Sequence, residues 1–171
     1  MTMNQTAFLN LVLPFKDKLY RMAKRLLVSN EEAEDATQEI LMKLWANKSK
    51  ISSYKNAEAF AMTMTKNYCF DRLKSKQAQS LRIVHSNYKD ETTQLQKQVE
   101  HQDSLDWVER LMQQLPTQQR MVMQLRDIEH YEFSDISKVL DMKETAVRVT
   151  LSRARKTIRE QLIQKHNYGI K

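Results

Sequence analysis

The amino-acid sequence predicts an all-α fold: two small helical domains joined by a polar linker, the C-terminal one containing a helix–turn–helix. Three observations carry that reading. Glycine occurs once in 171 residues, at Gly169, and proline twice, too few for the positive-φ turns of a β architecture. Apolar residues recur at helical spacing from Thr6 to Lys76 and again from Ser104 to about Gln164. Between them, Gln77 to Gln102 is rich in Gln, Ser, Lys and Thr and loses the period, as a linker does. The expected units are residues 1–76, a linker over 77–103, and residues 104–171.

Taken in order, the opening apolar run FLNLVLPF is short, has no basic segment before it and meets Lys16 at once. Neither a signal peptide nor a membrane span is expected, and a cytoplasmic location follows. Ser29 and Glu32 form an S-x-x-E capping box that starts the next helix. Turning that helix puts Ala33, Thr37, Ile40, Leu41, Leu44 and Trp45 on one face. Asp35, Gln38, Glu39 and Met42 are contiguous on the other, which is either an ordinary solvated face or a docking surface. A helix from about Ala57 to Lys76 carries a core stripe of Ala59, Met62, Cys69, Phe70 and Leu73. A second line, Phe60, Met64, Asn67, Asp71 and Lys74, either packs on a second side or meets a partner.

In the second half, FSDISKVL is expected to be a helix with Ser134 as N-cap and Ile136, Val139 and Leu140 inward. Asp141 is the turn residue, because it tolerates the left-handed region better than most. The closing helix begins near Lys143, with Val147, Leu151, Ala154, Ile158 and Leu162 on its core stripe. Thr145, Val149, Ser152, Arg153 and Lys156 lie opposite, and Arg148 and Arg155 flank the core edge. Small and basic residues on one exposed face are what a helix needs to enter a major groove. Arginine can fork onto guanine, whereas lysine and serine more often position phosphates.

The charge is localised in the same place. The chain carries a net +7, and from Lys143 to Lys171 eight basic residues face two acidic ones, leaving six of that excess in the last helix and tail. Such a block is the footprint of a polyanion partner or, alternatively, a solubilising tail. With one glycine there is no phosphate-cradling loop, with one cysteine no disulfide framework or thiolate metal site, and the four histidines have no metal-ligand spacing. No cofactor and no catalytic residue is expected.

Three blocks resemble a known family. The run AEDATQEILMKLW resembles the D-A-x-Q-E-x-F-x-x-x-W pattern of bacterial RNA polymerase sigma factors. NAEAFAMTMTKNYCFDRLK resembles their promoter-melting helix, with its N-x-x-x-D-R-L-[RK] ending. Leu115 to Glu160 resembles their C-terminal helix–turn–helix, including the V-[RK]-x-x-L-S-R-[AG]-R-K signature. The blocks stand in family order, and the small two-domain size matches the extracytoplasmic-function (ECF) branch of the sigma-70 family. Phe60 and Ala61 stand where many members carry Trp-Leu, Lys143 where a Ser N-cap is common, and Asp141 where a turn glycine is common.

The resemblance implies roles. Asp35, Gln38, Glu39 and Met42 would dock on core RNA polymerase. Asn67, Asp71 and Arg72 would lie at the minus-ten element, with the loop Ile51 to Asn56 holding a flipped base of the melted non-template strand and Tyr54 placed to stack on a base or on its own domain. Thr145, Arg148, Val149, Ser152, Arg153 and Lys156 would face the minus-thirty-five duplex. The implied function is a dissociable specificity subunit that directs promoter-specific initiation, is not an enzyme, and has an anti-sigma factor as a further partner. Two other readings stand beside it: a stand-alone helix–turn–helix regulator, which the DATQE block argues against, and a metal-dependent nuclease built on Asp35 and Glu39, for which no third ligand is found.

Overall fold

The computed structural model describes residues 3–86 and 104–168, all of whose regular structure is helical. Four helices make the first lobe: α1 (Gln5–Leu27), α2 (Asn30–Ala46), the single turn α3 (Lys48–Ile51) and α4 (Ala57–Ser86). The second lobe holds α5 (Ser104–Gln114), α6 (Thr117–Met123) with a π-helical turn running on from it (Gln124–Ile128), α7 (Phe133–Leu140) and α8 (Glu144–Tyr168).

Local chemistry accounts for most boundaries. Asn4 caps α1 by accepting from the Ala7 amide at 2.8 Å. Phe8, Val12, Phe15, Leu19, Met22 and Leu26 then bury one stripe of the helix. Ser29 caps α2 by accepting from the Glu32 amide, as the capping box requires. The reciprocal arm differs from expectation: the Glu32 carboxylate turns to Lys76 and Arg72 of α4 and ties the two helices together. Asn56 starts α4, its Oδ1 accepting from the Ala59 amide at 2.9 Å. Helix α4 continues to Ser86, ten residues past the expected end, because the Gln, Ala, Leu and Arg of that stretch sustain a helix well. Residues 87–103 of the expected linker lie outside the described residues.

Two expectations in the second lobe need correction. The N-cap of α7 is Glu132, two residues before Ser134, and its side chain makes no capping bond. Leu162 is 37% exposed, because the lobe ends below it and α8 runs on into solvent. The rest of the α8 stripe (Val147, Leu151, Ala154, Ile158) is buried against Ile136, Val139, Val122 and Leu125. Asp141 does take the left-handed conformation, at φ 53°, ψ 51°, and turns the chain between α7 and α8.

The lobes pack on each other, α1 on α6 and α4 on α7, through a polar seam. Arg21 donates through Nε and Nη2 to the two oxygens of Glu129, each at 2.7 Å. Arg25 donates to Gln124 Oε1 at 3.0 Å, and the Gln124 amide donates to Glu129 at 3.0 Å. Tyr131 and Lys18 both donate to Glu58, at 2.6 and 2.7 Å. Burial first, then the bond to Glu58, raises the Tyr131 phenol above its ordinary value. Burial lowers the guanidinium of Arg25, opposed by Glu109. The π turn makes this seam possible: its extra residue per turn aims both Gln124 and Glu129 at α1.

Candidate nucleic-acid interface

The expected site residues fall on three surfaces, one each on α2, on α4 with its preceding loop, and on α8. On α2, the buried residues Ala33, Ala36, Thr37, Ile40 and Leu44 fix the helix to the core and force the opposite face outward. Asp35 and Gln38 are exposed, Glu39 pairs with Lys43 at 3.3 Å, and the Met42 side chain is 67% exposed. An exposed methionine amid acidic and amide groups gives a face that is both charged and adaptable. Among the described residues no three His, Cys, Asp or Glu side chains converge as a metal cluster.

Around α4, the loop from Ile51 to Asn56 is held at both ends. Ile51 is buried, the Ser52 and Ser53 hydroxyls donate to Ser49 and Lys50 carbonyls, and Asn56 caps α4. Tyr54 stays 42% exposed while its ring leans on Phe60, centroids 4.6 Å apart at 41°. Of the two readings for Tyr54 the structure displays features of each: one ring face is packed, the other is open. Asn67 and Asp71 are exposed one turn apart on α4. Arg72 is half-buried and lies 3.5 Å from Glu32, so its charge already has a partner within the lobe. Asn56 also approaches Asp135 of α7 at 3.4 Å, so the second lobe abuts this loop.

On α8, at about 100° per residue, the buried stripe leaves Thr145, Val149, Ser152, Arg153 and Lys156 on the far side, and all five are exposed. Val149 is 49% exposed, an apolar group of the kind that contacts a thymine methyl. Arg148 lies to one side of that face, its guanidinium 4.0 Å from the Phe133 ring centroid. Arg155 is on the same side and bonds Asp127 through Nε and Nη2; this bond, then the charge of Asp127, raises the guanidinium above its ordinary value. Phe133, Asp127 and Arg126 were not among the sequence-expected site residues. Asp127 and Arg155 are 28 residues apart, and no local pattern links them.

Residues 11–79 match the family described as Sigma-70 region 2, and residues 105–158 match Sigma-70, region 4. The chain is 22% identical to the ECF RNA polymerase sigma factor SigW of Bacillus subtilis over 170 residues, covering 93% of this chain and 90% of that protein. It is 24% identical to the ECF RNA polymerase sigma factor SigM of Mycobacterium tuberculosis over 140 residues, covering 81% of this chain and 68% of that one. In fold it resembles the sigma factor RpoE of Bartonella quintana, solved with the anti-sigma factor NepR, at a TM-score of 0.72 and 21% identity, with 91% and 96% of the two chains covered. It also resembles CnrH, solved with the cytosolic domain of CnrY, at a TM-score of 0.67 and 20% identity, with 94% and 90% covered.

Proposed function

Because the chain belongs to the sigma-70 family of RNA polymerase sigma factors, in its ECF branch, we propose the following division of labour among its surfaces. The protein binds core RNA polymerase and directs promoter-specific initiation. The α2 face of Asp35, Gln38, Glu39 and Met42 docks on the polymerase. The α3–α4 loop with Tyr54, and Asn67, Asp71 and Arg72 of α4, meets the minus-ten element as it melts. Helix α8 meets the minus-thirty-five duplex. The units expected from the sequence, 1–76 and 104–171 about a linker at 77–103, are the two DNA-engaging modules. The protein does no bond chemistry of its own and works in the cytoplasm, where polymerase and chromosome are; no helix among the described residues is long and apolar enough to cross a membrane.

The observation that carries this reading is the two-sided character of α8. Its apolar stripe from Val147 to Ile158 is committed to the lobe, while Thr145, Val149, Ser152, Arg153 and Lys156 face outward together. A solvated helix has no reason to concentrate cations and small side chains on one exposed face. A protein that binds DNA alone is less well supported, because residues 11–79 match sigma region 2. An anti-sigma protein is proposed as a third partner, since the similar RpoE structure carries one.

Reconstituted run-off transcription with core polymerase tests the assignment. Arg148→Glu and Arg153→Glu are expected to abolish promoter-specific transcripts while co-elution with core survives. Asp35→Lys with Glu39→Lys is expected to abolish co-elution. Normal transcription by Arg153→Glu would sink the placement of α8 on duplex DNA.

A further inference from the structure

Two side chains outside the reading face restrain its arginines. The Phe133 ring takes a guanidinium from each of two residues, Arg148 at 4.0 Å and Arg126 at 4.6 Å from the centroid. Arg126 is anchored in turn, donating to the Tyr131 carbonyl at 2.6 Å and lying 3.4 Å from Glu132. Stacking occupies the flat face of the Arg148 guanidinium, and on its N–H edge only a loose contact is present among the described residues, Nη2 lying 3.9 Å from Glu144 of the same helix. Seven residues on, Asp127 holds Arg155 through Nε and Nη2, so three of its five N–H donors remain unused by that pair.

Both restraints act along one edge. Arg148, Ser152, Arg155 and Arg159 follow one another at four, three and four residues and line an open groove of about 460 Å³ floored by Phe133 and Leu151. Arg153 projects from the opposite edge of the helix. A free arginine loses rotamer freedom when it closes on a phosphate, whereas a stacked or paired one has lost it already. Asp127 is telling here. A carboxylate this close to DNA repels the backbone, so its pairing with Arg155 helps binding only by aiming that side chain.

We propose that this edge is a preset phosphate clamp: Phe133 and Asp127 are positioning residues that hold Arg148 and Arg155 for the backbone of one strand, leaving Val149 and Arg153, outside the groove, for base edges. The proposal rests on α8 as the duplex-facing helix.

The test uses polymerase holoenzyme and a promoter fragment selected by run-off transcription, with affinity measured across a salt series. Each phosphate that the protein no longer neutralises lowers the slope of log affinity against log salt by about 1. Arg148→Ala and Phe133→Leu are each expected to lower it by about 1, and the double variant by no more than either alone. Phe133→Tyr is expected to keep the wild-type slope. Arg148→Lys, which keeps the charge without a stackable plane, is expected to keep the slope but to lower the affinity, and reads the positioning role even if Phe133→Leu perturbs the fold. Asp127→Asn, which releases Arg155, is expected to weaken promoter and scrambled duplex alike and to leave their ratio unchanged; a changed ratio counts against a phosphate role for Arg155. A wild-type slope for Phe133→Leu and a wild-type affinity for Arg148→Lys, beside a reduced slope for Arg148→Ala, overturn the positioning role alone. Wild-type affinity and slope for both Arg148→Ala and Arg153→Glu overturn the clamp together with the placement of α8 on DNA.

Discussion

The Glu129→Ala variant should uncouple the two lobes. The Glu129 carboxylate is 1% exposed and accepts three hydrogen bonds, two from Arg21 and one from Gln124. Arg21 is 45% exposed, so water takes over its donors in the variant and the pair is worth no more than about 1 kcal/mol. Gln124 is fully buried, and stranding one of its amide donors costs about 1–3 kcal/mol. The total is about 1–4 kcal/mol, with a melting shift on the order of 10 °C. Each lobe carries one tryptophan, Trp45 on α2 and Trp107 on α5, so single-tryptophan versions report the lobes separately in urea. In the parent both probes should give one shared transition. In Glu129→Ala they should separate, while Glu129→Gln, which keeps the shape and an acceptor, should separate them less. Coincident transitions and a loss below about 0.5 kcal/mol, the scale of an ordinary surface change, would refute the view that this seam couples the lobes.

Other consequences can be checked on the isolated protein. Leu125→Ala, at a fully buried position under α8, should cost about 2–5 kcal/mol in denaturant unfolding. Cys69 is buried, and burial pushes its thiol up to about 12, so native protein should resist alkylation by iodoacetamide at about pH 8 until denaturant is added. The hydrogen bond from Lys76, then its charge and that of Arg72, holds the Glu32 carboxyl below its ordinary value of 4.5. A depressed carboxyl contributes stability above 4.5 that is lost as pH falls through the lower folded value. Glu32→Gln should therefore melt earlier than the parent at neutral pH, and thermal melts should converge as the pH drops below 4.5.

What was legible in the sequence was whatever is local. The cap at Ser29, the left-handed Asp141 and the apolar stripe of α8 each depend on residues within a few positions, and the structure has all three. The cap of α7 was misplaced from Glu132 to Ser134 because both types occur at helix starts and only backbone angles separate them. The second arm of the Ser29 box failed because tertiary cations outcompeted the local amide for Glu32. The seam was illegible for another reason. Arg21 and Glu129 are 108 residues apart, and the π turn that aims Glu129 leaves no periodic signature in a stretch as short as QLRDI. The division of the α8 arginines was visible as geometry, but Asp127 and Phe133, which give it chemical meaning, were not.

The seam also sets a limit on reach. The longest helix of the two lobes, α4 with 30 residues, spans about 45 Å at 1.5 Å per residue. Twenty-five base pairs between the minus-ten and minus-thirty-five positions extend about 85 Å at 3.4 Å each. With Arg21 on Glu129 and Tyr131 on Glu58, the two modules are too close together to touch both elements at once. Covalent geometry permits the separation, since the eighteen steps from Ser86 to Ser104 can extend up to about 65 Å. If α4 and α8 engage the two elements together, as proposed above, the seam must open first, and every 1.4 kcal/mol stored there lowers the open population about tenfold. On the proposed assignment, substitutions at Arg21, Gln124 or Glu129 tune that opening without altering any of the side chains assigned to DNA.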